Sequence, residues 1–140
     1  MRILFLCKYN RFRSRVAEAS FKKYNKNKKI KISSRGFIKG FNPVSKSVKD
    51  IGKSLGLTIK GNPKGITEKE MDDADLIVIV ANNIPSSFIK RWKKKIIIWK
   101  IPDCGEKDKN NIDKTSRQIL KKTLNLIKEL GRKGKWIQTT

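Results

Sequence analysis

The 140-residue sequence contains no histidine and only two cysteines. Without histidine, the chain has no Ser-His or Cys-His catalytic pair and no zinc site built on imidazole. Two cysteines are too few for a disulfide framework, which indicates a reducing, intracellular setting. Any proton transfer must therefore use a carboxylate, lysine, tyrosine or cysteine.

Long apolar segments and a leader peptide are also lacking. No apolar run approaches the length that is needed to cross a bilayer. The apolar run that ends at Cys7 is too short for the core of a signal peptide, and no small-residue cleavage site follows it. We therefore expect a cytoplasmic protein with no membrane partner.

Acidic residues are scarce, with 12 Asp and Glu against 35 Lys and Arg, and the formal charge is +23. Such a charge attracts phosphate esters, phosphoproteins, nucleic acid or acidic surfaces. Lysine is scattered over the whole chain, so codon bias or a lysine-coated surface explains the charge equally well. The charge therefore supports an anionic partner, which could be nucleic acid, but does not identify it.

Strand-like and helix-like segments alternate along the chain. Apolar runs typical of buried strands lie at 3–6, 30–34, 76–80 and 96–99. Helical periodicity or capping signals lie between and after them, at 14–24, 44–55, 67–70, 85–92 and 111–130. This alternation predicts one α/β domain, 1–131, with a four-stranded parallel sheet between two helical layers, and a basic tail, 132–140. Ligands of such folds bind beyond the carboxyl ends of the strands.

The most specific feature follows the first strand, where Cys7 precedes Arg13 by six residues and Ser14 comes next. A loop between a strand and a helix N-terminus surrounds an anion with backbone N–H groups. An arginine fork matches two phosphate oxygens. This positive field favours the thiolate of Cys7, placed for in-line attack that gives a phosphocysteine. The loop is therefore predicted to bind a tetrahedral oxyanion.

Other residues of this loop are candidates for shaping it. Asn10 is a residue type that tolerates a left-handed backbone. Ser14 is placed to donate a hydrogen bond to the thiolate. The alternative is a buried cysteine at a strand end, followed by an exposed arginine on a basic helix. The predicted phosphate-binding segment comprises Lys8, Tyr9, Asn10, Arg11, Phe12, Arg13 and Ser14.

The departing group needs an acid, and Asp103 is the candidate because it lies just past the last strand, at the same edge of the sheet. It would protonate the leaving oxygen and then deprotonate the attacking water. The alternative is a turn or helix-capping role after Pro102. Three other carboxylates precede a strand and are expected at the opposite edge: Asp72, Asp73 and Asp75.

With these residues in place, the sequence resembles the low-molecular-weight protein tyrosine phosphatases and the related arsenate reductases. That family opens with a strand, then Cys-x-Gly-Asn-x-x-Arg-Ser, then a helix containing Ala-Glu-Ala. The matching residues here are Cys7, Asn10, Arg13, Ser14 and 17–19. Similar features continue over about residues 2–130.

The resemblance implies the α/β/α fold of that family. It also implies hydrolysis of a phosphotyrosine protein or a small phosphate monoester, with no cofactor and no metal. By the same resemblance, Cys7 is the nucleophile, Arg13 binds the phosphate and Asp103 is the acid. Ser34 joins the phosphate-binding residues as a hydrogen-bond partner of Asn10.

Four positions depart from the family pattern. Tyr9 replaces a glycine, so a positive φ at this position would be strained, and the ring would narrow the mouth of the pocket. Phe12 replaces a frequent second cysteine, which removes a disulfide partner for Cys7. Arg15 and Cys104 replace prolines after the serine and after the acid.

Two further functions stay open at this stage. Arsenate mimics phosphate, and its reduction needs a second thiol, either Cys104 or an external one. The other function is that of an inactive relative that binds phosphate-bearing partners or nucleic acid. Aromatic and basic residues together can hold single strands, and Trp92 stands among Lys90, Arg91, Lys93, Lys94 and Lys95. Such a run is more often a solvated helix face.

Overall fold

The computed structural model describes residues 1–133, with side chains up to residue 132. Its sheet contains four strands in the order β2-β1-β3-β4, and every neighbouring pair is parallel. The strands are β1 Arg2–Cys7, β2 Lys31–Gly36, β3 Leu76–Val80 and β4 Ile96–Trp99. The predicted four-stranded parallel sheet is confirmed, and each strand lies within two residues of its predicted bounds.

Five α-helices accompany the sheet in the described part of the chain: α1 Arg13–Tyr24, α2 Lys46–Ser54, α3 Glu68–Asp73, α4 Ser86–Arg91 and α5 Lys109–Lys133. The start of α3 has the capping box that its sequence predicts, because the Thr67 hydroxyl accepts from the Glu70 amide and the Glu70 carboxylate accepts from Thr67 N. A short 3₁₀ turn, Lys93–Lys95, leads into β4.

The two faces of the sheet build two separate cores, which gives the predicted three layers. On β1, Ile3 and Phe5 point to the face that α1, α2 and α5 cover. Leu4 and Leu6 point to the opposite face, which α3 and α4 cover. Successive strand side chains alternate between faces, so a strand covered on both sides is apolar throughout. β3 is the clearest case, since all five of its residues are buried.

The end of the chain differs from its prediction in two ways. α5 continues through Gly131 to Lys133 instead of ending at the glycine, because glycine lowers helix propensity without forbidding the helical conformation. The helical spacing of the segment 111–130 also predicts Leu124 on the buried face, but Leu124 is 39% exposed and Leu126 is buried. The remaining tail, 134–140, lies outside the described residues, so the domain boundary at 131 stays a prediction.

The loops at the two edges of the sheet lie where the parallel arrangement requires. Cys7 ends β1 beside Gly36, the last residue of β2. Asp75 lies at the other edge, where its carboxylate accepts from the Arg2 amide at 2.7 Å. Within residues 1–133, no helix combines the length and apolar character that crossing a membrane requires.

Candidate active site

The loop between β1 and α1 lies against the backbone of the segment after β2. The Phe37 and Ile38 amides donate to the carbonyls of Cys7 and Lys8, both at 2.8 Å. A Cβ on Gly36 would come within 2.8 Å of the Tyr9 carbonyl carbon, and one on Gly40 within 2.7 Å of the Tyr9 oxygen. Glycine at these two positions is therefore required for the close approach that supports the loop.

The thiol of Cys7 is buried, and its sulfur lies 3.0 Å from Ser14 Oγ. Asn10 Nδ2 donates to the same oxygen at 2.9 Å and to Ser34 Oγ at 3.1 Å. Because Ser14 Oγ already accepts from Asn10, the serine hydrogen is free to point at the sulfur. Ser14 is thus positioned to donate to a Cys7 thiolate, and the expected bond between Asn10 and Ser34 is present.

The left-handed residue of the loop is Asn10, with φ 58°, and no other non-glycine residue in 1–133 has a positive φ. The condition under which Tyr9 would be strained therefore does not arise. The backbone N–H groups of residues 9–12 donate to no acceptor in the part of the chain that the structure describes. Free amides on a loop that leads into a helix N-terminus are the donors that an oxyanion needs.

Arg13 is the first residue of α1 and is only 2% exposed. Nη1 donates to the Ile101 carbonyl at 2.8 Å, and Nη2 donates to Asn83 Oδ1 at 3.3 Å. Nη2 also lies 3.7 Å from Asp103 Oδ2. The structure thus brings Cys7, Arg13 and Asp103 to one cavity of about 230 Å³ at the carboxyl edge of the sheet.

A family model described as low molecular weight phosphotyrosine protein phosphatase matches residues 2–136. The chain belongs to this family. It is therefore an enzyme of the hydrolase class. No curated protein sequence matches the chain significantly.

Solved structures of the same fold cover nearly the whole phosphatase. A low molecular weight phosphotyrosine phosphatase from Vibrio cholerae has a TM-score of 0.84 at 16% identity, covering 96% of this chain and 99% of the other. The YwlE arginine phosphatase from Geobacillus stearothermophilus has a TM-score of 0.81 at 16% identity, and the match covers 94% of each chain. An arsenate reductase from Archaeoglobus fulgidus has a TM-score of 0.72 at 28% identity, and the match covers 89% of this chain and 98% of the other.

Among the other predicted phosphate-binding residues, Tyr9, Arg11 and Phe12 line the same cavity as Cys7, and Lys8 does not. Lys8 Nζ lies 5.1 Å from the centre of the Tyr9 ring, and Phe12 is buried in the core. Arg11 donates to the carbonyls of Asn42 and Pro43 and to Glu106 Oε2 at 2.7 Å. These residues contribute walls and backbone to the loop, and Arg11 with Glu106 contributes a charged rim to the cavity.

Cys104 lines the same cavity as Cys7, and both thiols are free. Partial burial raises the pKa of the Cys104 thiol, and the carboxylates of Asp103 and Asp108 raise it further. The thiol is therefore largely protonated at neutral pH, which makes Cys104 a weak nucleophile.

Sequence reasoning missed three side chains that hold this site. Arg15 donates to Asn10 through its carbonyl at 2.7 Å and its Oδ1 at 3.1 Å, and Glu18 accepts from Ser34 at 2.7 Å. Asn83 contacts Arg13. Asn83 lies three residues past the end of β3, at the same edge of the sheet as Asp103, so its position along the chain indicates it in the same way. No local pattern indicates Arg15, whose other acceptors are the carbonyls of residues 60 and 62.

The ring of Trp92 is not an open stacking surface. It packs against the core that α3 and α4 cover, and cations lie over it at 5.0 Å for Arg91 and 5.6 Å for Lys95. Lys95 in turn donates to the Asp72 and Ala74 carbonyls. This basic run therefore lacks the free aromatic face on which the nucleic-acid alternative depends.

Proposed function

We propose that this phosphatase hydrolyses phosphotyrosine in proteins, or a small aryl phosphate, through a phosphocysteine on Cys7. One observation carries the proposal. The Cys7 sulfur lies 3.0 Å from a serine hydroxyl whose oxygen is already occupied, beneath a loop with free amides. This arrangement stabilises a thiolate at the point where a phosphorus atom would be bound.

In the first step, the Cys7 thiolate attacks phosphorus in line with the ester oxygen. The S–P bond forms as the P–O bond breaks, and the Asp103 carboxyl gives its proton to the leaving tyrosine oxygen. The loop amides and the Arg13 guanidinium stabilise the charge that spreads over the equatorial oxygens. Asn83 and the Ile101 carbonyl hold Arg13 in place for this task.

In the second step, Asp103 acts as a carboxylate and takes a proton from water. The water oxygen attacks phosphorus, the S–P bond breaks, and inorganic phosphate leaves. Ser14 stabilises Cys7 as the departing thiolate, because its hydroxyl lies 3.0 Å from the sulfur and a thiolate can only accept. The acid and base are one carboxyl group in two protonation states, which suits a chain without histidine.

The cavity walls offer apolar surface to an aryl group. Apolar side chains line the cavity with the thiol, namely Tyr9, Phe12, Val48 and Ile112. Arg11 stands at the rim, where it is paired with the Glu106 carboxylate at 2.7 Å. Some structural relatives are arginine phosphatases, whereas the family model that matches residues 2–136 is described for phosphotyrosine. We therefore propose phosphotyrosine ahead of phosphoarginine.

The test is steady-state hydrolysis by the wild type and by Cys7→Ser, with a chromogenic aryl phosphate, a phosphotyrosine peptide and a phosphoarginine peptide of the same sequence. We expect turnover of both aryl esters, weaker turnover of phosphoarginine, and no turnover by Cys7→Ser. Full activity of Cys7→Ser would overturn the mechanism, and a preference for phosphoarginine would overturn the substrate.

Arsenate reduction is the second candidate, because Cys104 and Cys7 line one cavity. Cys7 would displace water from arsenate. A second thiol would then attack the Cys7 sulfur, releasing arsenite and leaving a disulfide for an external thiol to reduce. This reaction predicts thiol-dependent arsenite formation that Cys104→Ser abolishes. The raised pKa of Cys104 opposes it, so we expect little turnover.

We also propose that the enzyme works in the cytoplasm. Its proposed nucleophile must stay reduced, and neither cysteine is in a disulfide. A reducing compartment keeps such thiols free. Reversible loss of activity in an oxidising buffer without thiols, restored by dithiothreitol, is the expected result.

A further inference from the structure

A second and larger cavity lies between α1, the end of β2 and the segment 56–64. Its volume is about 620 Å³, against about 230 Å³ for the active-site cavity. None of the three proposed catalytic residues lines it. Its charged side chains are six cations and one carboxylate: Arg15, Lys22, Lys23, Arg35, Lys60 and Lys64 with Glu18.

Only two of these six cations have a carboxylate partner. Lys22 pairs with Glu18 at 3.1 Å, and Arg35 pairs with Glu70 at 2.6 Å. Among the side chains of residues 1–132, none forms a salt bridge with the other four, Arg15, Lys23, Lys60 and Lys64. Four positive charges without a salt-bridge partner around one concave space concentrate anions there.

Arg15 is the most buried of the four cations, with 8% of the residue exposed, so water screens its charge least. All of its hydrogen bonds go to uncharged oxygens of Asn10, Lys60 and Asn62. Burial lowers the pKa of its guanidinium, and the opposing attraction of the Glu18 carboxylate, which forms no salt bridge with it, does not cancel that effect. Arg15 and Gly61 both line the cavity, so the guanidinium borders it on the side where the glycine has no side chain.

We propose that this cavity binds a small molecule that carries two or more phosphate groups. A phosphate group brings a charge near −2, so two groups balance four cations, and lysine and arginine are the side chains that proteins use to bind phosphate. The volume of the cavity gives room for more than one group. Ala19 and Ile59 also line it and offer a small apolar surface to the rest of such a molecule.

The site is tested by calorimetric titration with inorganic tripolyphosphate while orthovanadate saturates the Cys7 loop. The variant is Lys23→Gln with Lys60→Gln. Its matched control is Lys121→Gln with Lys128→Gln, two exposed lysines of α5 that do not line the cavity, which removes the same charge. We expect one site, an affinity loss of about tenfold or more in the cavity variant, and a loss below about threefold in the control.

Two further ligands define the chemical class. Inorganic phosphate should bind the cavity more weakly than tripolyphosphate, and adenosine triphosphate should bind as tightly as tripolyphosphate if the apolar surface takes a ring. Equal losses in the two variants would assign binding to overall charge and overturn the proposal. Loss of tripolyphosphate binding when orthovanadate is present would assign that binding to the Cys7 loop and would also overturn the proposal.

This proposal does not depend on the proposed phosphatase mechanism. Failure of orthovanadate to bind would count against the Cys7 loop as an oxyanion site, while the comparison of the two lysine variants would still decide the cavity. Thermal unfolding of both variants near the wild-type temperature establishes that the affinity changes are not caused by unfolding.

Discussion

The orientation of one amide, that of Asn10, sets the direction of the hydrogen bonds beneath Cys7. Asn10 Oδ1 accepts from Arg15 Nη2 at 3.1 Å and from the Lys64 amide at 3.0 Å. Its Nδ2 must therefore face the two serines, which leaves the Ser14 hydrogen available to a Cys7 thiolate. A residue without a chemical role thus determines which atom donates to the nucleophile.

Ser14→Ala is the substitution that isolates this hydrogen bond. Hydrogen bonds to charged groups contribute about 1.5–3 kcal/mol, so kcat for an aryl phosphate should fall by about 10- to 100-fold. Alkylation of Cys7 by iodoacetate at neutral pH should slow as well, because the thiolate loses its donor. Ser20→Ala is the matched control, since Ser20 is buried in the same helix and bonds only the Val16 carbonyl. Equal activity in the two variants would contradict the role of Ser14.

The sequence identifies those site residues whose location follows from their position along the chain. Cys7, Arg13 and Asp103 each lie at the carboxyl edge of a strand or at the start of a helix, which an apolar run marks in advance. Arg15 was recognised only as a departure from a family pattern. Its role depends on carbonyls 45 and 47 residues away, and no local spacing encodes such a contact.

Helix α5 shows how the packing of an element decides which residues form its buried face. Its buried positions follow steps of four and three residues: Ile112, Ser116, Ile119, Thr123, Leu126 and Leu130. Leu124 is one residue out of this series and faces outward. The spacing in the sequence predicts both Thr123 and Leu124 on the buried face. Thr123 is buried, with its hydroxyl donating to the Ile119 carbonyl, whereas Leu124 is exposed and Ser116 joins the buried stripe.

The pair Leu126→Ala and Leu124→Ala tests this face directly. Removing a buried leucine side chain costs about 2–5 kcal/mol, and removing an exposed one costs far less. We expect Leu126→Ala to lower the free energy of unfolding by an amount in that range and Leu124→Ala by less than about 1 kcal/mol. Urea denaturation followed by circular dichroism measures both. A larger loss in Leu124→Ala would contradict the observed helix orientation.

The ion pair between Arg11 and Glu106 links the Cys7 loop to the segment before α5. The hydrogen bond from Arg11 lowers the pKa of the Glu106 carboxyl, so the pair is complete at neutral pH and is lost as the pH falls below the usual range of a glutamate. Because both groups are accessible, the link should contribute little to stability. We expect Glu106→Gln to raise KM for a phosphotyrosine peptide and to leave the melting temperature nearly unchanged.

The control for that variant is Glu129→Gln, which removes the same charge on the exposed face of α5. The KM difference between Glu106→Gln and the wild type should also shrink at low pH, where the wild-type carboxyl becomes protonated. An equal rise in KM for both variants would show that the effect does not depend on the rim of the cavity.

At the scale of the whole molecule, the sequence predicts which segments are strands better than it predicts which strands lie next to each other in the sheet. The apolar runs of β1 and β3 mark both as buried strands, and their central place in the sheet accounts for that composition. The order β2-β1-β3-β4 depends on which face of the sheet each connecting helix covers, and no single apolar run contains that information. The assignment of helices to faces follows only from the packing of α1, α2 and α5 in one core.

The net charge of +23 makes a prediction about salt that concerns the entire enzyme. Since 35 cations face 12 anions, repulsive pairs far outnumber the attractive ones, so screening should stabilise the fold even though it weakens the surface ion pairs. Raising the ionic strength from about 0.01 M to about 0.15 M shortens the Debye length from about 30 Å to about 8 Å. The melting temperature should rise, while kcat/KM for a dianionic aryl phosphate should fall and kcat stay constant. A lower melting temperature at the higher salt would mean that the specific ion pairs outweigh the net repulsion.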